Sequence, residues 1–226
     1  MATSKTVRLD IFRFDPGCDA EPRYETYEVP YWEGMSVLDS LEYVEKNLAP
    51  IAFQRDCKRY MCGSCTVRLN GTPVLACKRK LAPSETNRNL KIEPLTCLPL
   101  VRDLMVDFSE DLRIRSRLRL SPESPKAKKV KLDAAQYEQQ KPYALCIRCY
   151  ACVEVCPAVK KTGKFVGPLL MQDIARLSVD RRDGANRAVE ALKEGLEECK
   201  NCPKLCNKVC PAGLDVYGIT IKQLRL

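Results

Sequence analysis

Along the first hundred residues, apolar and polar positions alternate in short runs separated by turn residues. In KTVRLDIFRF, Val7, Leu9 and Ile11 alternate with Thr6, Arg8 and Asp10, the period of a half-buried strand, before Phe12 breaks it. YETYEVP offers a second strand. Ser36 with Asp39 then makes a helix-start signal, and Val37, Leu41, Val44 and Leu48 recur at helical spacing until Pro50. The spacing predicts one helix there. In TVRLNGTPVLACKRKL, Asn70-Gly71 stands between two apolar runs, and both central residues of a type I′ turn need positive φ, so a hairpin is expected. LKIEPL supplies a last short strand. Two strands, a helix, a cysteine-bearing loop, a hairpin and a closing strand predict a small sheet wrapped over one helix, the β-grasp arrangement.

Further on, Arg113, Arg115, Arg117 and Arg119 alternate with Leu112, Ile114, Leu118 and Leu120, and SPESPKAKKVK then follows, proline-rich and charged. These features mark residues 109–141 as a basic surface linker. From residue 142 the period is helical. Pro168 occupies a first helical turn, with Leu169, Leu170, Ile174 and Leu177 after it, and Ala188, Val189, Leu192 and Leu196 repeat the period. The expected class is α+β: a β-grasp domain over residues 1–108, the linker, and an all-α domain over residues 142–226.

Composition changes this picture at two points, fourteen cysteines and no histidine among 226 residues. Fourteen thiols would suit a secreted disulfide scaffold, but MATSKTVRLDIFRF has no apolar segment like a signal peptide, so a reducing compartment is expected. No stretch approaches the roughly eighteen apolar residues of a membrane span, so membrane contact is expected to be peripheral. Without histidine there is no His-based acid–base catalysis, no Ser/Cys–His nucleophile, no Rieske centre and no His-ligated haem. A carrier is expected rather than a hydrolase. The formal charge of +9 would point to nucleic acid or an anionic membrane. Thiolate-held clusters carry net negative charge, about −2 each when oxidised, and three of them would cancel most of that excess.

Twelve of the fourteen cysteines fall into three groups. Cys57-x4-Cys62-x2-Cys65, with Cys77 eleven residues on, has the plant-type [2Fe–2S] spacing, and the Asn70-Gly71 turn would return the chain so that Cys77 lies beside Cys65. Gly63 would let backbone approach the inorganic sulfides. CIRCYACVEVCP carries Cys146, Cys149, Cys152 and Cys156-Pro157, and Cys199-x2-Cys202-x3-Cys206-x3-Cys210-Pro211 nearly repeats it. In two-cluster ferredoxins the cysteine before proline ligates the other cluster. By that rule Cys146, Cys149, Cys152 and Cys210 hold one [4Fe–4S] cluster, and Cys156, Cys199, Cys202 and Cys206 hold another. Structural zinc also uses Cys-x2-Cys pairs, but three groups, two of them ending in Cys-Pro and one with a ferredoxin loop, weigh against it. Cys18 and Cys97 fit no group and are expected to be plain small residues.

This order of cysteines resembles the iron–sulfur subunit of succinate dehydrogenase and fumarate reductase, from about residue 5 to 220. LPLVRDLMVD, residues 98–107, also looks like that family's segment after the first domain. The resemblance implies a three-cluster path. A separate flavoprotein subunit carries FAD and interconverts succinate and fumarate, the [2Fe–2S] centre nearest the flavin takes electrons singly, and they continue through a [4Fe–4S] centre and a third cluster to a quinone or another acceptor. It implies no substrate catalysis on this chain and no nucleic-acid partner. It also implies a peripheral position on the cytoplasmic side of a membrane, in a complex with the flavoprotein and a membrane-anchor or heterodisulfide-reductase-like subunit.

Two departures bear on these implications. The usual family member has a [3Fe–4S] third cluster with a ligand where this chain has Lys200; Cys199 and Cys202 flank that position, so a second [4Fe–4S] is expected, with [3Fe–4S] from three of the four cysteines as the alternative. Quinone-reducing relatives place tryptophan soon after the Cys-Pro and a histidine near the last cysteines, whereas here Pro157-Ala158-Val159-Lys160-Lys161 follows and Trp32 is the sole tryptophan. Variants with a cubane third cluster often resemble thiol:fumarate reductases. A flavoprotein partner acting on an acyl-CoA or a hydroxy acid is a further alternative. Arg113 to Arg119 and Lys126 to Lys131 would suit an acidic flavoprotein or an anionic membrane surface, or simply be solvated. A nucleic-acid-binding iron–sulfur protein is the remote alternative, disfavoured because the basic run has no interleaved aromatics to stack bases.

Overall fold

The computed structural model describes residues 5–124, 131, 133–199 and 201–224. The chain divides into two compact units, Met1–Phe108 and Ser109–Leu226.

The first unit has strands β1 (Thr6–Arg13) and β2 (Arg23–Pro30), helix α1 (Val37–Asn47), then β3 (Thr66–Leu69), β4 (Thr72–Leu75) and β5 (Asn89–Glu93). They form one sheet in the order β2-β1-β5-β3-β4. The central pair β1–β5 is parallel, Arg8 opposite Asn89 and Ile11 opposite Ile92, and the other pairs are antiparallel. A parallel pair needs a long crossover, and that crossover holds α1, the cysteine loop and the hairpin. Val7, Leu9 and Ile11 of β1, Ile92 of β5 and Val37, Leu41 and Val44 of α1 are wholly buried. Each such side chain contributes about 1.5–3 kcal/mol on leaving water.

Helix α1 begins where Ser36 and Asp39 cap one another: Asp39 N–H donates to Ser36 Oγ at 3.1 Å, and Ser36 N–H donates to Asp39 Oδ2 at 2.7 Å. The hairpin has Asn70 at φ 49 and Gly71 at φ 81, the two positive values of a type I′ turn. Asn70 Oδ1 also accepts Lys91 N–H at 2.9 Å, tying the turn to β5.

On β1 the alternation does not stop at Phe12. Arg13 takes the next inward position and is only 8% exposed. A buried cation survives there because it is fully paired: Nε donates to Asp103 at 3.0 Å, and the terminal nitrogens donate to Glu25 at 2.8 Å, Tyr27 Oη at 2.6 Å and the Pro50 carbonyl at 2.9 Å. Asp103 comes from the turn between two short strands, β6 (Leu100–Arg102) and β7 (Met105–Val106), which form a separate antiparallel ribbon.

The second unit is helical: α2 (Ser109–Arg117), α3 (Ala134–Ala144), α4 (Ala151–Glu154), α5 (Pro157–Thr162), α6 (Pro168–Ser178), α7 (Arg187–Lys193) and α8 (Leu205–Val209), with a 3₁₀ turn at Leu196–Cys199 and a π-helical turn at Tyr217–Lys222. Helix α6 lies at its centre, with Leu169, Leu170, Met171, Ile174, Ala175 and Leu177 buried.

The stretch 109–141 differs from the expected surface linker. Its arginine–leucine alternation suggested a period of two, but the backbone is helical, so Ile114 and Leu118 share a face. Leu118 is 3% exposed inside the core around α6, and Ile114 packs against it. The arginines are paired rather than merely solvated: Arg115 bonds Asp173 and Asp111, and Arg117 makes a two-pronged contact to Glu194 at 2.6 and 2.7 Å. Asp133 caps α3 by accepting Gln136 N–H at 2.8 Å. Of the basic run Lys126 to Lys131, all but Lys131 lie outside the described residues. Helix α7 forms where its period predicted, but rotated: Ala191 is buried while Val189 and Leu192 are largely exposed.

Candidate iron–sulfur sites

The loop between α1 and β3 carries Cys57, Cys62 and Cys65. Lys58, Tyr60 and Gly63 adopt left-handed backbone at φ 56, 50 and 73, so successive N–H groups turn to one side. Those of Arg59, Met61 and Cys62 each lie 3.4 Å from Cys57 Sγ, and that of Tyr60 lies 3.2 Å from Cys77 Sγ. The Ser64 hydroxyl is 3.1 Å from Cys62 Sγ. The three N–H groups pull the Cys57 thiol down to about 7. Cys65 precedes β3 and Cys77 follows β4, and the hairpin joins them through Ala76 N–H donating to the Cys65 carbonyl at 3.0 Å. Burial pushes Cys65 up to about 12, and the neighbouring Cys77 and Cys62 add to the rise.

In the second unit, Cys146, Cys149, Cys152 and Cys210 line one small recess, whose other walls include Leu169, Leu214 and Val216. Cys146 follows α3, Cys152 is in α4, and Cys210 follows α8. Arg148 and Tyr150, at φ 54 and 61, turn the chain sharply between them. Burial pushes Cys149 up to about 11 and raises Cys146 and Cys152, and Cys149 and Cys152 also sense other thiols of the set.

Cys156, at the start of α5, senses Cys202, and Cys206 of α8 senses both. Cys202 Sγ accepts Lys204 N–H at 3.4 Å. Cys199 ends the 3₁₀ turn, 3% exposed, in the apolar cluster that also contains Cys156 and borders Cys202. Cys18 is exposed, and Cys97 is half-buried.

These donors fit iron–sulfur clusters. All fourteen cysteines are free thiols, the chain has no histidine, most sulfurs of the second unit lie among apolar side chains, and backbone N–H groups point at Cys57 and Cys77 in the first, as thiolates bearing a negative inorganic core require. Among the described residues no three His, Cys, Asp or Glu side chains converge as they would on a single ion. Around the recess the four thiols frame a volume.

One polar side chain here was missed by sequence patterning. Gln172 of α6 is 5% exposed and lines the recess beside Cys146. The signal was available, since Gln172 interrupts the apolar run Leu169-Leu170-Met171 on a buried helix.

Comparison with known proteins bears on the same segments. Residues 8–113 match the 2Fe-2S iron-sulfur cluster binding domain family, and residues 143–214 match the 4Fe-4S dicluster domain family. The fumarate reductase iron-sulfur subunit of Haemophilus influenzae is 31% identical over 95% of this chain and 90% of its own length. A chain of the Sdh1 complex of Mycobacterium smegmatis, in its apo form, superposes with a TM-score of 0.89 at 26% identity, covering 98% of this chain and 95% of that one. This chain belongs to the iron–sulfur subunit family of fumarate reductase and succinate dehydrogenase. Its α+β fold is accordingly that family's pairing of a [2Fe–2S] ferredoxin domain with a [4Fe–4S] dicluster domain. Within the family, one of the fumarate reductase (CoM/CoB) subunits of Methanothermobacter marburgensis is 38% identical over 97% of this chain. The match spans 44% of that relative's own length, so this chain corresponds to under half of it. Among the described residues no helix is long and apolar enough to cross a membrane.

Proposed function

We propose that this chain is the electron-transfer subunit of a fumarate reductase or succinate dehydrogenase-like complex, passing single electrons between FAD on a separate flavoprotein subunit and a quinone or other acceptor. The observation that carries this is the set of thiol-only sites in a chain with no histidine, matched along 95% of its length by a fumarate reductase iron-sulfur subunit. Bound iron–sulfur clusters supply one-electron oxidation and reduction without breaking bonds to a substrate.

The residues do the rest. Cys57, Cys62, Cys65 and Cys77 hold a [2Fe–2S] cluster, and the N–H groups of residues 59–62 offset negative charge on its sulfurs. Cys146, Cys149, Cys152 and Cys210 hold a [4Fe–4S] cluster, from which Leu169, Leu214 and Val216 exclude water. Cys156, Cys199, Cys202 and Cys206 hold a second [4Fe–4S] cluster in place of a three-iron one. The subunit sits peripherally on the cytoplasmic side of a membrane, on a membrane-anchor or heterodisulfide-reductase-like partner. The first domain ends at residue 108, and the second, expected from residue 142, takes in α2 as well, since Leu118 packs in its core.

A second reading has thiols rather than a quinone exchanging electrons at the far end. It is favoured by the 38% identity to the fumarate reductase (CoM/CoB) relative and by the absence of any histidine. Iron quantification with EPR in a graded redox titration tests the cluster content: about ten irons and no oxidised three-iron signal are expected, whereas about nine irons with that signal would show a [3Fe–4S] third cluster. Fumarate reduction by the co-purified complex, with quinol or thiol as donor, separates the two readings.

A further inference from the structure

Helix α6 is buried on nearly all sides, and a buried amide within it needs a partner. Gln172, 5% exposed, lines the recess beside Cys146, and it and the backbone N–H of Arg148 both hold that thiol down against the rise that burial causes. The next residue, Asp173, clamps the Arg148 guanidinium with two bonds, at 3.0 and 2.7 Å, and also binds Arg115. One turn of α6 therefore carries both the amide on the recess wall and the carboxylate that holds Arg148. Asp173 is 6% exposed and holds two cations, so α6 cannot rotate without breaking that clamp.

We infer that Gln172 is a positioning residue that raises the reduction potential of the centre held by Cys146, Cys149, Cys152 and Cys210, by donating its side-chain N–H to Cys146 Sγ. The inference rests on the assignment of those four cysteines to a [4Fe–4S] cluster. One-electron reduction adds a negative charge shared by irons and sulfurs, with no bond made or broken and no proton required. A donor aimed at a ligand sulfur stabilises the more negative state. In a recess with apolar walls that preference is poorly screened. An apolar residue at position 172 removes it.

The test is a mediated redox titration, followed by EPR, of the full chain bearing all its clusters, comparing wild type with Gln172→Leu, Gln172→Met and Gln172→Glu. In the Leu and Met variants the reduced-to-oxidised ratio of this centre at a fixed potential should fall about tenfold, a downward shift of about 59 mV for one electron. The carboxylate variant should fall at least as far, because it removes the donor and adds charge. The other two centres should keep their potentials, and iron content should match wild type. An unchanged potential in the Leu and Met variants at full iron content would overturn the inference, as would equal shifts in all three centres. Loss of this centre from both variants would overturn it too, by making the amide a requirement for retention rather than for potential. A wild-type protein with no reducible four-iron centre would instead refute the assignment of the four cysteines.

Discussion

Asp103→Asn is the sharpest test of what holds the first unit together. Asp103 is 2% exposed, and its two oxygens serve three donors: Arg13 Nε at 3.0 Å, Phe14 N–H at 3.1 Å and Ala52 N–H at 2.9 Å. Those donors lie on the end of β1 and on the segment that leads from α1 into the cysteine loop. Asparagine keeps the volume and tolerates the left-handed φ of 47 at this position. It removes the charge and turns an NH₂ toward a donor. Removing one partner of a buried ion pair costs about 3–5 kcal/mol. Glu25, 2.8 Å from the same guanidinium, offsets some of that, so about 3 kcal/mol is expected. At about 4–8 °C per kcal/mol for a domain near a hundred residues, thermal loss of the [2Fe–2S] absorbance should move down by about 12–24 °C. A drop of less than about 3 °C in Asp103→Asn would refute the reasoning.

The remaining predictions concern both units. Cys199→Ser should lower the iron count by about one and produce the EPR signal of an oxidised three-iron centre; an unchanged count would remove Cys199 from the ligand set. Gly195 has φ 88, and a Cβ there would stand 2.7 Å from the Lys164 carbonyl oxygen and 2.9 Å from the Phe165 Cα. Gly195→Ala should therefore destabilise the second unit by at least about 2 kcal/mol, read as a lower thermal midpoint. Ser36→Ala removes the cap of α1 and should cost about 1 kcal/mol by the same thermal assay. Chelation of iron should unfold the second unit first, seen as lost helical circular dichroism and protease cleavage near residues 199–215. Its small cores are partly built from Cys156, Cys199 and Cys206, so metal binding there is folding free energy.

How far the sequence carried can be argued element by element. Alternation located β1, the Ser36–Asp39 pair located the start of α1, and Asn70-Gly71 located the hairpin, because each depends on a few neighbouring residues and on φ preferences. The cysteine spacings grouped the thiols, since the spacing between ligands is itself set by local chain geometry. Reading failed at Arg113 to Arg119, where two periods fit the same residues and only burial of Leu118 decides for the helix. It failed again at α7, where a helix was foreseen but not the face it turns inward.

What the sequence determined by itself is therefore the inventory: which segments become strands and helices, which thiols can act together, and which chemistries a chain without histidine lacks. Only the tertiary structure decided that Arg13 goes inward to meet Asp103, ninety residues away, that Arg115 and Arg148 share Asp173, and that Gln172 faces the recess of Cys146. The reason is physical. A buried polar group survives only with its partner in place, and a partner far along the chain leaves no periodic mark on it.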